Sequence, residues 1–266
     1  MMPVLRRGAA AVALYLLLTL LGLICLGWTL FALPLWLILP VRAGARCGRY
    51  GILVGFRCYV WTLRATGAYR LDLGALRELR GGPPVVLAPN HPSLIDALFI
   101  IAHDPNVVCV MKSALKNNLF LGAGARLARY IGNEPTRHMI VDAVAELGRG
   151  TSVLLFPEGT RTVRAPVNEF KGSVAIIARH AQVPVQTLII EQDSAFLGKG
   201  WSLFRPPTLP IVYRVRLGRR FNPAADAREL TRELESYFRE QLAHAAQNAW
   251  IAGRRHELAC GQADPQ

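Results

Sequence analysis

Acidic residues are scarce in this chain of 266 residues, 18 against 31 basic ones, and lysine is scarcer still, because arginine supplies nearly all of the basic side chains. Cysteines are few, and Cys25, Cys47, Cys58, Cys109 and Cys260 are scattered with no Cys-x-x-Cys among them. This excludes the usual dithiol and zinc arrangements and fits a reducing compartment. Internal repeats are absent, as is any aromatic-basic module or helix-turn-helix pattern, so nucleic acid is not the partner expected for the net charge of +13. Anionic lipid headgroups or acidic substrates remain. The arginines are spread along the whole chain, so part of this charge is a bias of composition.

The most informative absence is local. Between Gly8 and Val41 no Asp, Glu, Lys, Arg or His occurs. As one straight helix at about 1.5 Å per residue this stretch would reach roughly 50 Å, well beyond a hydrocarbon core of about 30 Å. It should tilt or break, and Pro34 and Pro40 are the natural places to do so. Arg6 and Arg7 flank it on one side and Arg42, Arg46 and Arg49 on the other, so charge gives no orientation. A re-entrant hairpin in one leaflet fits as well as a single span. A cleavable signal peptide is the plainer alternative, with Ala43-Gly44-Ala45 as its site, but the apolar run is far longer than an ordinary signal core.

What is present elsewhere is alternation. After an anchor at 1–46 and a mixed aromatic and basic connecting segment at 47–80, short β-rich runs fall at 85–88, 107–111, 152–156, 183–190 and 211–217. Helix-compatible stretches lie between them at 95–102, 139–147 and 173–180. This predicts an α/β domain over 81–253 with a parallel or mixed sheet flanked by helices. A last helix at 224–250 carries Leu230, Leu234, Tyr237, Phe238 and Leu242 at core-facing spacing, and 254–266 forms a polar, frayed tail.

Two polar turns follow apolar strands. In "APNHPSLIDA" His91 comes directly after the first strand, where ligands bind in open α/β sheets. Asn90 or Ser93 is placed to cap the next helix, which leaves Asp96 about a turn away and able to reach the imidazole. A carboxylate on one ring nitrogen fixes the tautomer and leaves the other basic, as a general base for a hydroxyl requires. In "LLFPEGTR" a second strand runs into a tight turn that directs Glu158 and Arg161 toward the same crevice, with backbone near Gly159 free to approach a ligand. The bland readings are polar punctuation for the first turn and a surface ion pair for the second. Ser93 beside His91 invites a hydrolase reading, but no Gly-x-Ser-x-Gly elbow surrounds it.

Taken together these blocks resemble the lysophospholipid acyltransferase family, the glycerolipid acyltransferases. Asn90, His91 and Asp96 match its Asn-His-x-x-x-x-Asp block and 156–161 its Phe-Pro-Glu-Gly-Thr-Arg block. Phe170-Lys171-Gly172 and Val183-Pro184-Val185 match two others loosely. The resemblance spans about 85–217. It implies a glycerolipid acyltransferase-type mixed sheet with a membrane-embedded N-terminal helical segment. It also implies His91 as base oriented by Asp96, an acyl-CoA or acyl carrier protein donor, and a lysophospholipid acceptor, above all 1-acylglycerol-3-phosphate. Asn90, Glu158, Gly159, Thr160, Arg161 and Lys171 would contact substrate. No metal or other cofactor and no covalent acyl-enzyme is implied, and the catalytic domain would face the cytoplasm at the inner membrane. Acyl-chain length and oligomeric state are not encoded in these blocks.

One block departs from the family. Where Gly-x-x-Phe-Ile-Asp-Arg is expected, the chain reads "ARYIGNEPTR", 128–137. Arg137 is the candidate for the missing acceptor arginine, the alternative being an exposed turn residue beside Pro135. Altered acceptor recognition follows, so the same chemistry on a different lipid or polyene hydroxyl is a second expectation. A catalytically idle membrane-surface lipid binder is a third.

Overall fold

The computed structural model describes residues 2–202 and 205–261. Two long helices come first. α1 (Met2–Ile38) runs unbroken through Pro34, and the chain turns at Leu39-Pro40 into α2 (Val41–Ala65). Pro34 removes one hydrogen bond from a long apolar helix and is tolerated, whereas Pro40, extended at φ −55° and ψ 144°, starts the next helix without a side-chain cap. Of the two breaks expected, only the second occurs.

The helices lie antiparallel, since Trp28 packs on Gly51 and Ile24 on Gly55. At Gly51 any Cβ would stand 2.1 Å from the Trp28 ring, so the glycine is what lets the indole lie against α2. Leu16, Leu23, Leu30 and Leu37, one every seventh residue, are all exposed along one outward face of α1. Among the described residues, Ala11–Ile38 is the one stretch of helix long and apolar enough to cross a membrane.

β1 (Tyr69–Asp72) then enters a sheet, followed by a short 3-10 turn, β2 (Val86–Pro89), α3 (Asp96–Ile101) and β3 (Val107–Met111). A second 3-10 turn, α4 (Gly122–Leu127), β4 (Ile131–Gly132), α5 (Thr136–Gly148) and β5 (Ser152–Leu154) come next. α6 (Ser173–Ala181), β6 (Val185–Gln192), β7 (Ile211–Phe221) and α7 (Ala227–Gly261) complete the order. Over the described residues the sheet order is β1-β7-β6-β2-β5-β3-β4. Every pair is parallel except β6 with β7. This is the mixed sheet expected. The central β2 is buried throughout, while β7 alternates buried Ile211, Tyr213 and Val215 with outward Val212 and Arg214, the pattern of a strand with one wet face.

Some expectations shift. The connecting segment at 47–80 is not only a surface element, because it supplies most of α2 and the edge strand β1. α7 starts at Ala227 and continues past the tail boundary expected at 253, while 262–266 lie outside the described residues. Leu230, Leu234 and Phe238 are buried as the helical spacing requires.

Candidate active site

β2 delivers its carboxyl end at Pro89, and the next two residues divide their tasks. The Asn90 side chain is buried and bonds Ile190 of β6 twice, accepting from its N–H at 2.7 Å and donating to its carbonyl at 2.9 Å. It extends the β2–β6 pairing by one rung. Asn90 is therefore neither a helix cap nor open to substrate here; α3 has Ile95 at its N-cap position and no side-chain cap.

His91 turns the other way. Its ring stacks on Phe156, centroids 3.8 Å apart, and its Nδ1 lies 2.8 Å from Asp96 Oδ2. Asp96 has no solvent exposure, and the same oxygen accepts the Ser93 N–H at 2.8 Å while Oδ1 accepts the Tyr213 hydroxyl at 2.8 Å. A buried carboxylate is tolerable only when its lone pairs are filled in this way. Burial still pushes the Asp96 carboxyl above the ordinary range, although its bonds to His91, Ser93 and Tyr213 pull it back. Tyr213, raised well above its ordinary value by burial and by the neighbouring carboxylate, stays a neutral donor. With Nδ1 held, the ring's other nitrogen, Nε2, makes no hydrogen bond among the described residues.

The second turn closes onto the first. Glu158 is 2% exposed; Oε1 accepts the His91 N–H at 2.9 Å and the Thr162 hydroxyl at 2.8 Å, and Oε2 accepts the Asn168 N–H at 2.8 Å. The Thr162 N–H donates to the His91 carbonyl at 2.7 Å, so the peptide on either side of the histidine is fastened to this turn. Gly159 takes φ +64°, and the Lys171 side chain lies over it where a Cβ would sit 2.7 Å from Cε. Arg161 donates through one guanidinium nitrogen to the carbonyls of Leu197 and Gly198, holding the loop after β6 over the site.

An apolar cavity of about 480 Å³ opens between α3 and the helical hairpin, lined by Leu94 and Leu98, which follow the histidine in the chain, and walled by Leu18, Trp28 and Phe56. A base and an oriented carboxylate thus meet at one strand end, and the segment that follows them borders an apolar recess.

A family model described as Acyltransferase matches residues 70–191. Human 1-acyl-sn-glycerol-3-phosphate acyltransferase beta is 25% identical over 66% of this chain and 65% of its own length. The 1-acyl-sn-glycerol-3-phosphate acyltransferase of Pseudomonas aeruginosa is also 25% identical, over 77% of this chain and 80% of its own. The chain thus carries an acyltransferase domain over 70–191 and is similar to 1-acyl-sn-glycerol-3-phosphate acyltransferases. The crystal structure of the 1-acyl-sn-glycerophosphate (LPA) acyltransferase from Thermotoga maritima has the same fold, with a TM-score of 0.67 at 18% identity over 91% of this chain and 97% of that one. The chain thus spans just under two thirds of the human relative and nearly all of the bacterial structure.

Within this fold the residues read from the sequence do not all assemble as expected. His91, Asp96, Glu158, Gly159 and Lys171 come together, and Thr160 and Arg161 border them. The expectation that Glu158 projects into the crevice is corrected: its carboxylate points inward and is filled by protein donors. Arg137 is exposed on the first turn of α5, next to β4 at the far edge of the sheet. At about 4.8 Å between strands, β4 itself lies roughly 14 Å from β2, three strands away. Lys112, directly after β3, sits one strand nearer on the same rim. Tyr213 was missed, because a tyrosine in the alternating run "IVYRVR" reads as core; only the antiparallel return of β7 brings it to Asp96.

Proposed function

We propose that the protein is a membrane-attached O-acyltransferase that moves a fatty acyl group from an acyl thioester to a lysophospholipid hydroxyl, with 1-acylglycerol-3-phosphate as the leading acceptor. The observation that carries this reading is His91 held at Nδ1 by Asp96, with Nε2 free, three residues before Leu94, which lines the apolar cavity. In this reading Nε2 takes the acceptor's hydroxyl proton as that oxygen attacks the thioester carbonyl. The C–O bond forms, the C–S bond breaks, and the proton passes from the imidazolium to the departing thiolate. Asp96 stabilises the transient positive ring and fixes its tautomer. The acyl chain lies in the cavity, so the carbonyl rests beside the base. The acceptor headgroup is taken at the rim by Arg161, Thr160 and Lys171 with the Gly159 backbone, while Glu158 and Asn90 position the histidine and leave the headgroup to the basic side chains.

The acceptor named on the relatives, 1-acyl-sn-glycerol-3-phosphate, is what supports the leading choice. The exposed outer face of α1 supports attachment, since in water it would leave a row of leucines uncovered. Lyso-lipid and acyl chain both partition into a bilayer, and a site beside the hairpin meets them without extracting them. We place that site on the cytoplasmic face of the inner membrane.

A second reading has one specific observation behind it. The segment 128–137 sends Arg129 to Glu146 and leaves Arg137 on the far rim, so the phosphate contacts of a lysophosphatidic acid site are not all where the family pattern puts them. This favours the same transfer onto a lipid with another headgroup. Purified wild type and His91→Ala, assayed in detergent with acyl-CoA and with acyl carrier protein thioester against a panel of lysophospholipids, decide between the two. His91-dependent phosphatidic acid formation is expected, with His91→Ala lower by about 10²- to 10⁴-fold, the contribution usual for a general base. Transfer to another acceptor alone would select the second reading, and full activity in His91→Ala would remove both.

A further inference from the structure

The opposite end of the sheet carries a second concentration of charge that the transfer chemistry does not use. Where β3 and β5 begin, a pocket of about 780 Å³ is lined by Arg42, Arg46 and Arg49 of α2, by Arg129 after α4, and by Arg149 at the end of α5. These five guanidinium groups face a single carboxylate, Glu146, which is 3% exposed. Glu146 accepts from Arg129 and Arg149 at 2.9 Å each and lies 3.8 Å from Arg49. Arg49 is held further by Thr151 Oγ1 at 3.0 Å and its own helix's Ala45 carbonyl at 3.2 Å. The floor of the pocket is thus fixed and its positive charge is far from balanced. Arg42 and Arg46 stand exposed above it. The first turn of α2 beside them contains no acidic residue and has no side-chain cap. Its amide donors add to the positive field.

The rim supplies the second observation. Val41 and Tyr50, 64% and 61% exposed, line the same pocket and continue into Leu37 and Ile38 at the end of the apolar helix. A site for a freely soluble phosphate needs no such border, whereas a phosphate with hydrocarbon attached does. Basic pockets beside membrane helices are suited to lipid phosphates, and a guanidinium fork matches phosphate oxygens two at a time.

We propose that this pocket binds the phosphate of an anionic phospholipid, at a site separate from the one where acyl transfer takes place. Bound there, the lipid fixes the turn between α1 and α2 at the headgroup layer and so sets the height of the hairpin. The inference does not depend on the proposed reaction.

Cys47 lines the pocket and is half-buried, while Cys58, on the same helix, is exposed and outside it. This provides a footprint with an internal reference. The full chain in nonionic detergent is labelled with a maleimide, and the rates at the two cysteines are followed by peptide mass spectrometry. Short-chain phosphatidylglycerol, short-chain phosphatidylcholine, inorganic phosphate and coenzyme A are added in turn. At about ten times its dissociation constant phosphatidylglycerol should slow Cys47 about tenfold, as mass action requires, and leave Cys58 unchanged. In the Arg42→Gln/Arg46→Gln double variant, which removes two exposed cations and no carboxylate contact, that protection should largely disappear. Equal protection by phosphatidylcholine would show that charge is not read and overturn the proposal. Protection by inorganic phosphate or coenzyme A but not by the lipid would keep an anion site and overturn its lipid occupant. Absence of protection by all four, or undiminished protection in the double variant, would overturn the site itself.

Discussion

Two carboxylates are sunk into the same corner of the molecule, and they serve one histidine in different ways. Asp96 and Glu158 are both almost fully buried, and both accept three hydrogen bonds from protein donors. Asp96 gives one of its bonds to the imidazole ring, so its charge is coupled to the proton that the ring would carry. Glu158 touches His91 only through the peptide N–H, so its charge is spent on where the residue stands. The difference teaches that burial and a full set of partners do not by themselves distinguish chemistry from positioning. The atom at the far end of the bond does.

Three substitutions press on that contrast. Asp96→Asn should cost the most, about a hundredfold or more in kcat, because the ring loses both its tautomer control and its counter-charge. It also carries a stability signature of definite sign. The Asp96 carboxyl is raised in the folded chain, so folding binds a proton and stability falls as pH climbs from the ordinary carboxylate range through the raised folded value. The asparagine variant has no such fall, and thermal melts on either side of that window should show wild type losing stability where the variant does not. Glu158→Gln should cost less, about tenfold, and should appear in kcat with the acceptor KM unchanged, as expected for a residue that positions the base. The reverse result, a raised acceptor KM at constant kcat, would return Glu158 to the headgroup role that the sequence suggests. Tyr213→Phe is the mildest of the three. It removes one bond to a charged acceptor, nominally about 1.5–3 kcal/mol, part of which relaxation recovers, leaving a loss of about tenfold or less in kcat with no change in acceptor KM.

The parts of the fold that were legible in the sequence are those with a strong local period or a punctuating residue. The strand at 107–111 is found where the apolar run lies, and the core face of α7 where leucine and phenylalanine recur. β1 and β4 went unseen because four residues and two residues carry too little pattern to read, and each exists only through pairing with β7 or β3. At the site, His91 and Asp96 were legible because both lie within one turn-and-helix segment. Glu158 misled, since a glutamate between proline and glycine reads as an exposed turn, and only the return of the His91 N–H shows what it is for. Asn90 misled for a similar reason, because its partner Ile190 is a hundred residues away.

That separation in sequence bears on how the protein is made. The hydroxyl that completes the shell around Asp96 comes from residue 213, on the strand that reverses direction beside β6. During synthesis the apolar hairpin and the histidine turn leave the ribosome well before that strand does. A ribosome-bound chain stalled before residue 211 would therefore carry its base but lack the hydroxyl that completes the shell around Asp96, so the histidine's counter-charge is finished only when the last strand arrives.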